Sequence, residues 1–179
     1  MPTMKPIYLL TGRPGTGKTS LIKQAIADFK GRAGGFYTEE IRSGGTRLGF
    51  KLVTLDGGKA VLAHADFSQR FRVGKYGVDV DGFEKIGVAT LIRAAQNSDL
   101  VVVDEIGRME LFSDRFREAV LEIMNGGKRV LGTIMLQPHP WADAIKQKPQ
   151  VNLVTLTRNN YQQVREELQK WLSAITSAV

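Results

Sequence analysis

The sequence predicts a three-layer α/β fold, in which a mostly parallel β-sheet carries helices on both faces. Three observations support this prediction. Short apolar runs of strand type alternate along the chain with segments of helical periodicity. The run Leu100 to Val103 is continuously apolar, which is typical of a parallel strand covered on both faces. A glycine-rich turn, Gly12 to Gly17, joins the first apolar run to the first helical segment.

The predicted elements follow one another in a simple order. Strands are expected at residues 7–10, 34–38, 100–103, 129–134 and 151–156, and helices at 18–30, 83–96, 113–124 and 158–174. Ser113 or Asp114 is the expected N-cap of the third helix, and Thr157 that of the last. The length of 179 residues suits one domain, spanning residues 1–179.

An irregular stretch interrupts this alternation at about residues 39–82. Its glycine pairs, Gly44-Gly45 and Gly57-Gly58, separate runs in which apolar residues alternate with polar ones. Glycines between alternating runs indicate hairpin turns. The stretch is therefore predicted to be a β-hairpin insertion that lies over one end of the main sheet.

The composition limits the classes of function. The formal net charge of +7 indicates an anionic partner, either nucleotides or nucleic acid. The positive residues are scattered, which favours a phosphate site on a solvated surface over a nucleic-acid face. The absence of cysteine excludes disulfides and thiolate metal sites, and a cytoplasmic location is expected. No apolar run approaches the roughly 20 residues that span a bilayer, so no membrane partner is expected.

The segment Gly12 to Thr19 matches the phosphate-loop pattern G-x-x-x-x-G-K-[ST] at every fixed position. Its glycines lack side chains, so the backbone can curl and present its N–H groups to phosphate oxygens. The helix that follows adds its unpaired N–H groups and the positive end of its dipole. Lys18 is expected to neutralise the β- and γ-phosphates, and the Thr19 hydroxyl to ligate Mg²⁺.

The other residues of this loop are expected to contact the nucleotide without a defined role. Arg13 contacts the substrate or faces water, and Ser20 is a second hydroxyl beside the favoured Thr19. The expected nucleotide-binding residues of the loop are Gly12, Arg13, Pro14, Gly15, Thr16, Gly17, Lys18, Thr19 and Ser20.

Two carboxylates, Asp104 and Glu105, follow the buried strand at 100–103. Ligands of parallel α/β sheets bind beyond the carboxyl ends of the strands. Asp104 is therefore expected to hold Mg²⁺, through water, and Glu105 to polarise the attacking water. The alternative for Glu105 is an ordinary surface acid at a strand end.

Several further residues are weaker candidates. Thr133 either senses the γ-phosphate or simply ends its strand, and Arg108, Arg42 and Arg47 are the candidates for a transition-state arginine. Structural roles are favoured for both histidines, His64 and His139, which lack partners at metal-ligand spacing. Core packing is likewise favoured over base stacking for the aromatic residues Tyr37, Phe50, Tyr76 and Trp141.

Over nearly its whole length the sequence resembles the small THEP-type nucleoside-triphosphatases. The most specific segments are Gly35 to Arg42 and Asp104 to Phe112, and Arg47 to Phe50 and Val73 to Val78 also fit. The resemblance implies a RecA-like P-loop fold and slow, Mg²⁺-dependent hydrolysis of ATP, GTP, CTP and UTP to the diphosphate and phosphate. It also implies nucleotide contacts at Gly12–Thr19 and along Val103, Asp104, Glu105, Ile106, Gly107, Arg108, Met109 and Glu110.

The catalytic residues expected from these arguments are Lys18, Glu105 and Arg108. Members of the family often carry a lysine where this chain has Arg108, and the two cations differ in geometry. Two alternatives to hydrolysis stay open: a nucleoside or nucleotide kinase, and a nucleotide-dependent nucleic-acid-binding protein. The sequence predicts no particular oligomeric state.

Overall fold

The computed structural model describes residues 4–177, and side chains as far as residue 175. Nine strands in this range form one sheet, in the order β5-β6-β4-β3-β2-β7-β8-β1-β9. The strands are β1 (Ile7–Thr11), β2 (Ala33–Ser43), β3 (Thr46–Thr54), β4 (Lys59–His64), β5 (Phe71–Val73), β6 (Tyr76–Val78), β7 (Leu100–Ile106), β8 (Val130–Ile134) and β9 (Val151–Thr155).

The helices connect these strands and cover the sheet. They are α1 (Lys18–Asp28), α2 (Val80–Phe83), a π-helical turn (Glu84–Val88), α3 (Ala89–Asn97), a 3₁₀ turn (Glu110–Phe112), α4 (Asp114–Asn125), α5 (Pro140–Lys146) and α6 (Tyr161–Ser177). Within residues 4–177, none of them is long and apolar enough to cross a membrane.

Five neighbouring strands, β2, β7, β8, β1 and β9, are parallel. Their side chains alternate between two hydrophobic cores, one on each face of the sheet. Ile7 and Leu9 of β1 lie in one core, whereas Tyr8 and Leu10 lie in the other. This arrangement confirms the predicted α/β fold with helices on both faces, because each face needs its own apolar cover.

The other four strands are antiparallel and extend the same sheet sideways beyond β2. β2 pairs with β3 from Phe36↔Thr54 to Ser43↔Thr46, and β4, β6 and β5 follow in turn. The hairpins are thus present as predicted, but they do not lie over one end of the sheet. β2 continues as far as Ser43, with one register shift between Ile41 and Arg42, so its backbone offers β3 an open edge to pair with.

Some boundaries differ from the sequence predictions for local reasons. The second helical segment begins at Val80, because the Asp79 side chain accepts a hydrogen bond from the Gly82 N–H. Thr157 does not cap the last helix; it exchanges hydrogen bonds with Asn160 in a turn that precedes Tyr161. The cap on α4 is confirmed, since Ser113 Oγ accepts from the Phe116 N–H at 3.0 Å.

Candidate functional site

A cavity of about 550 Å³ lies between the carboxyl ends of the parallel strands and the β2–β3 hairpin. The phosphate loop and the start of α1 contribute Pro14, Gly15, Gly17, Lys18, Thr19 and Ser20. The hairpin contributes Thr38, Glu39, Glu40, Arg47 and Phe50, and β7 contributes Asp104 and Glu105. This volume suits a small-molecule ligand.

The phosphate loop has the curled backbone that its glycines allow. Gly15 and Gly17 have φ angles of 80° and 92°, in the left-handed region that side chains disfavour. A Cβ at Gly17 would also lie 3.0 Å from the Tyr161 ring. α1 begins at Lys18 without a side-chain cap, so the N–H groups of its first turn are available to an anion.

Lys18 is held at the loop by two backbone carbonyls. Its Nζ donates to the oxygens of Gly12 and Arg13, both at 2.9 Å. Thr16 Oγ1 donates to the same Arg13 carbonyl at 3.0 Å, whereas the Arg13 side chain is exposed. The lysine charge therefore lies at the wall of the cavity, where a phosphate can replace its carbonyl partners.

Asp104 is a buried carboxylate with only one oxygen in a hydrogen bond. The Thr133 hydroxyl donates to Oδ1 at 2.6 Å, while Oδ2 has no hydrogen-bond partner. Burial raises the pKa of Asp104, and the hydroxyls of Thr133 and Thr19 and the Lys18 charge oppose that rise. A buried, half-partnered carboxylate close to a threonine hydroxyl has the oxygen ligands that Mg²⁺ prefers.

Glu105 follows Asp104 across a cis peptide bond and lies at the wall of the same cavity. Burial, and next the Asp104 charge, raise the pKa of Glu105, whereas the Lys18 charge lowers it. Its carboxylate folds back over Gly107, where an added Cβ would lie 2.5 Å from Glu105 Oε1. The carboxylate can take this position only because Gly107 has no side chain.

Apart from Asp104 and Glu105, the residues of the expected segment Val103 to Glu110 do not line this cavity. The side chains of Val103 and Ile106 are in the hydrophobic core. Arg108, Met109 and Glu110 line a second cavity of about 270 Å³. Arg108 is exposed and lines this second cavity, and only Asp104 and Glu105 of the segment line the larger one.

Glu110 is buried, and the sequence places it only within a nucleotide-contact segment. It is 4% exposed, and its Oε2 has no hydrogen-bond partner. Burial raises the pKa of Glu110 well above its usual range, and the charges of Glu105 and Asp104 raise it further. These charges show that the three carboxyl groups lie close enough to interact.

Of the residues in the hairpin wall of the larger cavity, the sequence offers only Arg47, as a transition-state arginine, and Phe50, as a disfavoured base-stacking residue. The pairing of β2 with β7 ends at Phe36, and Thr38, Glu39 and Glu40 lie beyond it. On β3, Phe50 pairs with Glu40 and Arg47 with Arg42. In the sequence, the polar run that follows the predicted strand at 34–38 indicates this wall. The register of β3 on β2 is needed to place its residues at the cavity. The Arg47 guanidinium lies 5.0 Å from the centre of the Phe50 ring.

Basic side chains neutralise the two hairpin glutamates. Lys23 bonds Glu39 at 2.8 Å, and Arg42 and Arg47 bond Glu40 at 2.7 and 3.3 Å. The hydrogen bond from Lys23 chiefly lowers the pKa of Glu39, and the one from Arg42 that of Glu40. An anion in the cavity therefore faces carboxylates whose negative charge is already balanced by salt bridges to basic side chains.

Both histidines have structural hydrogen bonds. His139 Nδ1 accepts from the Trp141 N–H at the start of α5, and His64 Nδ1 accepts from the Asp66 N–H. Within residues 4–177, no group of three or more histidine, aspartate or glutamate side chains could hold a metal ion. A metal here would need ligands of other kinds as well, such as a threonine hydroxyl, phosphate oxygens and water.

Comparison with known proteins gives consistent matches over most of the chain. Residues 7–169 match the family model described as NTPase. The chain is 46% identical over 160 residues to nucleoside-triphosphatase THEP1 of Thermotoga maritima, covering 89% of this chain and 91% of that protein. It is 36% identical over 175 residues to the cancer-related nucleoside-triphosphatase homolog of Bos taurus, covering 89% and 92%.

Two solved structures have the same fold. The crystal structure of THEP1 from Aquifex aeolicus superposes with a TM-score of 0.86 at 36% identity, covering 93% of this chain and 98% of that one. The solution structure of a human cancer-related nucleoside triphosphatase superposes with a TM-score of 0.75 at 33% identity, covering 98% and 99%.

Proposed function

The chain belongs to the THEP1 family of nucleoside-triphosphatases and hydrolyses nucleoside triphosphates, and we propose that it does so in the 550 Å³ cavity, with Mg²⁺ bound. The observation that carries the proposal is the arrangement of groups around this cavity. An uncapped helix start and a lysine form one wall, and two adjacent carboxylates form the wall beside it. A triphosphate needs this combination of donors and acids.

The phosphate loop grips the polyphosphate in this proposal. The N–H groups of the first turn of α1 donate to phosphate oxygens. Lys18 exchanges the carbonyl oxygens of Gly12 and Arg13 for the oxygens of the β- and γ-phosphates. A charged donor makes stronger hydrogen bonds to phosphate than to a neutral carbonyl, so the exchange favours binding.

Thr19 and Asp104 would hold the metal. The Thr19 hydroxyl and the unpartnered Oδ2 of Asp104 are oxygen atoms of two interacting side chains on neighbouring walls of the cavity, and both could ligate the metal. Mg²⁺ bound there would neutralise charge on the β- and γ-phosphate oxygens. Its positive charge would also stabilise the ionised form of Asp104, which burial alone disfavours.

Glu105 activates the attacking water. It accepts a proton from the water as the oxygen bonds to the γ-phosphorus, and the bond from that phosphorus to the bridging oxygen breaks. The products are a nucleoside diphosphate and phosphate. Its raised pKa makes Glu105 a stronger base than an exposed glutamate.

Broad base tolerance and slow turnover complete the proposal. Arg47 and Phe50 offer flat faces at the hairpin wall, and stacking on such faces accepts any base. ATP, GTP, CTP and UTP are therefore expected substrates.

Two of the candidate arginines are poorly suited to stabilise the transition state. Arg108 lies in the second cavity, and Glu40 partly neutralises Arg47. An arginine that stabilises the transition state contributes about 10³-fold or more, so slow turnover is expected if neither Arg108 nor Arg47 takes this role.

A phosphate-release assay with the four triphosphates, with and without Mg²⁺, tests this mechanism. Lys18→Ala should lose both nucleotide binding and turnover. Glu105→Gln should keep its affinity and lose at least about 100-fold in turnover. Lys59→Ala, at an exposed position on β4, is the matched control and should behave as wild type. Wild-type turnover by Glu105→Gln would remove Glu105 from the mechanism, and full activity without any divalent metal would remove Mg²⁺.

A further inference from the structure

The second cavity adjoins the nucleotide cavity and shares one wall with it. Thr38, Phe50 and Glu105 line both cavities. Glu105 therefore separates the proposed position of the triphosphate from an additional space of about 270 Å³. The hydrolysis of a triphosphate does not require such a space, because a water molecule occupies only about 30 Å³.

The walls of the second cavity combine apolar and polar groups. Leu62, Val73, Met109, Met135 and Phe50 provide an apolar surface. Glu110, Gln137 and Arg108 provide hydrogen-bonding groups. Predominantly apolar walls with a few polar groups are typical of pockets for small organic molecules.

Glu110 gives the second cavity a buried hydrogen-bonding group that lacks a protein partner. Its side chain lines the second cavity and is almost entirely buried, yet Oε2 has no hydrogen-bond partner. Leaving a buried polar atom unpaired costs about 1–3 kcal/mol. A hydroxyl group bound in the cavity could pair with this oxygen.

We propose that the second cavity binds a small neutral alcohol with an apolar body, and that this alcohol competes with water for the terminal phosphoryl group. The chain would then act as a phosphotransferase as well as a hydrolase. The inference rests on the proposed function, because it uses the same nucleotide site and the same base, Glu105. An apolar body would lie against Leu62, Val73 and Met135, and a second polar group would bond Glu110 or Gln137.

The transfer step needs no further reactant. The alcohol oxygen forms a bond to the γ-phosphorus, the bond from this phosphorus to the bridging oxygen breaks, and Glu105 accepts the hydroxyl proton. The products are a phosphate monoester and a nucleoside diphosphate. Water and the alcohol approach from the same side, opposite the leaving diphosphate, so each product forms at the expense of the other.

Competition between the two acceptors can be measured directly. The wild-type protein turns over ATP with Mg²⁺ in the presence of benzyl alcohol, of thymidine, or of ethanol at the same concentration. Phosphorus NMR then gives the ratio of phosphate monoester to free phosphate. Benzyl alcohol and thymidine should each give a ratio at least about tenfold that of ethanol, which is too small to fill the apolar walls. The ratio should also saturate with alcohol concentration, as it would for a bound acceptor.

Two variants narrow the second cavity. Val73→Phe fills it from β5, and Gln137→Trp fills it from the exposed loop after β8, where a bulky residue should not disturb the core. Each should lower the ratio of monoester to phosphate at least about tenfold. Val61→Phe, at a position 39% exposed on β4, is the matched control and should leave the ratio unchanged.

The outcomes separate this inference from the proposed function. If phosphate is released but neither benzyl alcohol nor thymidine yields a monoester, the acceptor site is wrong and the hydrolytic mechanism stands. If monoester forms but both filling variants leave the ratio of monoester to phosphate unchanged, the alcohol does not bind in the second cavity. The assignment of the acceptor site to this cavity is then wrong. If Lys18→Ala and Glu105→Gln release phosphate at the wild-type rate, the proposed mechanism itself fails.

Discussion

The Thr133 hydroxyl donates a 2.6 Å hydrogen bond to Asp104 Oδ1, and both side chains are buried. Thr133 lies on β8 and Asp104 on β7, two neighbouring parallel strands. The bond orients the carboxylate and leaves Oδ2 without a partner. If Asp104 holds Mg²⁺ as proposed, Thr133 would support the metal through Asp104, as the outer-shell partners of other metal ligands do.

Replacing Thr133 tests this relationship. Thr133→Val keeps the shape of the side chain but removes the donor to Asp104. We expect the Mg²⁺ concentration for half-maximal ATP hydrolysis to rise at least about tenfold. Thr133→Ser keeps the hydroxyl and should stay close to wild type. A Mg²⁺ titration of phosphate release measures both, and an unchanged midpoint in the valine variant would show that the bond does not support metal binding.

Gly107 is expected to set the position of Glu105. In Gly107→Ala the new Cβ would meet Glu105 Oε1 at 2.5 Å and Cγ at 2.9 Å, so the carboxylate must move. A displacement of about 1 Å can cost about 100-fold in rate, and we expect kcat to fall by that order with nucleotide affinity retained. Adding the same substitution to Glu105→Gln should cause no further loss, because the displaced group is already inactive. A full additional loss would mean that Gly107 acts independently of Glu105.

The raised pKa of Glu105 predicts the pH dependence of turnover. Burial and the Asp104 charge favour the protonated form, which cannot accept a proton from water. The acid limb of kcat/KM, which reports the free protein, should therefore lie above the ordinary glutamate range, with an apparent pKa that belongs to the interacting carboxyl groups. Initial rates at subsaturating ATP across the acid limb measure it, and Glu122→Gln, at an exposed position on α4, is the control. An acid limb centred at the ordinary glutamate pKa would contradict the role of a buried Glu105 as the base.

Glu110→Gln should stabilise the fold at neutral and alkaline pH. The unfolded chain releases the Glu110 proton near the ordinary pKa of about 4.3, whereas the folded chain retains it to higher pH. The wild type consequently loses free energy of unfolding as pH rises through this interval, and the glutamine variant does not. We expect the variant to melt at least about 3 °C higher than wild type at pH about 8, with the gap closing towards pH about 4. A gap that does not change with pH would contradict a titrating, buried Glu110.

Much of the phosphate site could be predicted because its signals are local in sequence. The strand, the curled loop and the helix around Lys18 are consecutive in the chain, so residue spacing describes them fully. The same is true of Asp104 and Glu105, which directly follow a buried strand. The carboxyl ends of parallel strands meet at one edge of the sheet, so these local motifs had to lie close together.

The hairpin wall and the second cavity could not be predicted in the same way. Phe50 reaches the site through the register of β3 on β2, and that register depends on pairing along the whole hairpin. Glu110 belongs to a 3₁₀ turn whose burial depends on distant residues such as Leu62 and Met135. Spacing along the chain does not record contacts of this kind.

The amino-acid sequence alone determined the fold class, the phosphate loop and the two acids at the end of β7, because each depends on neighbouring residues. The tertiary structure decided that Arg108 lies in the second cavity, that Arg47 lies in the first, and that Glu110 is left without a partner. The physical reason is that these positions depend on strand pairing and packing between residues far apart in the chain. Only the folded protein brings those residues together.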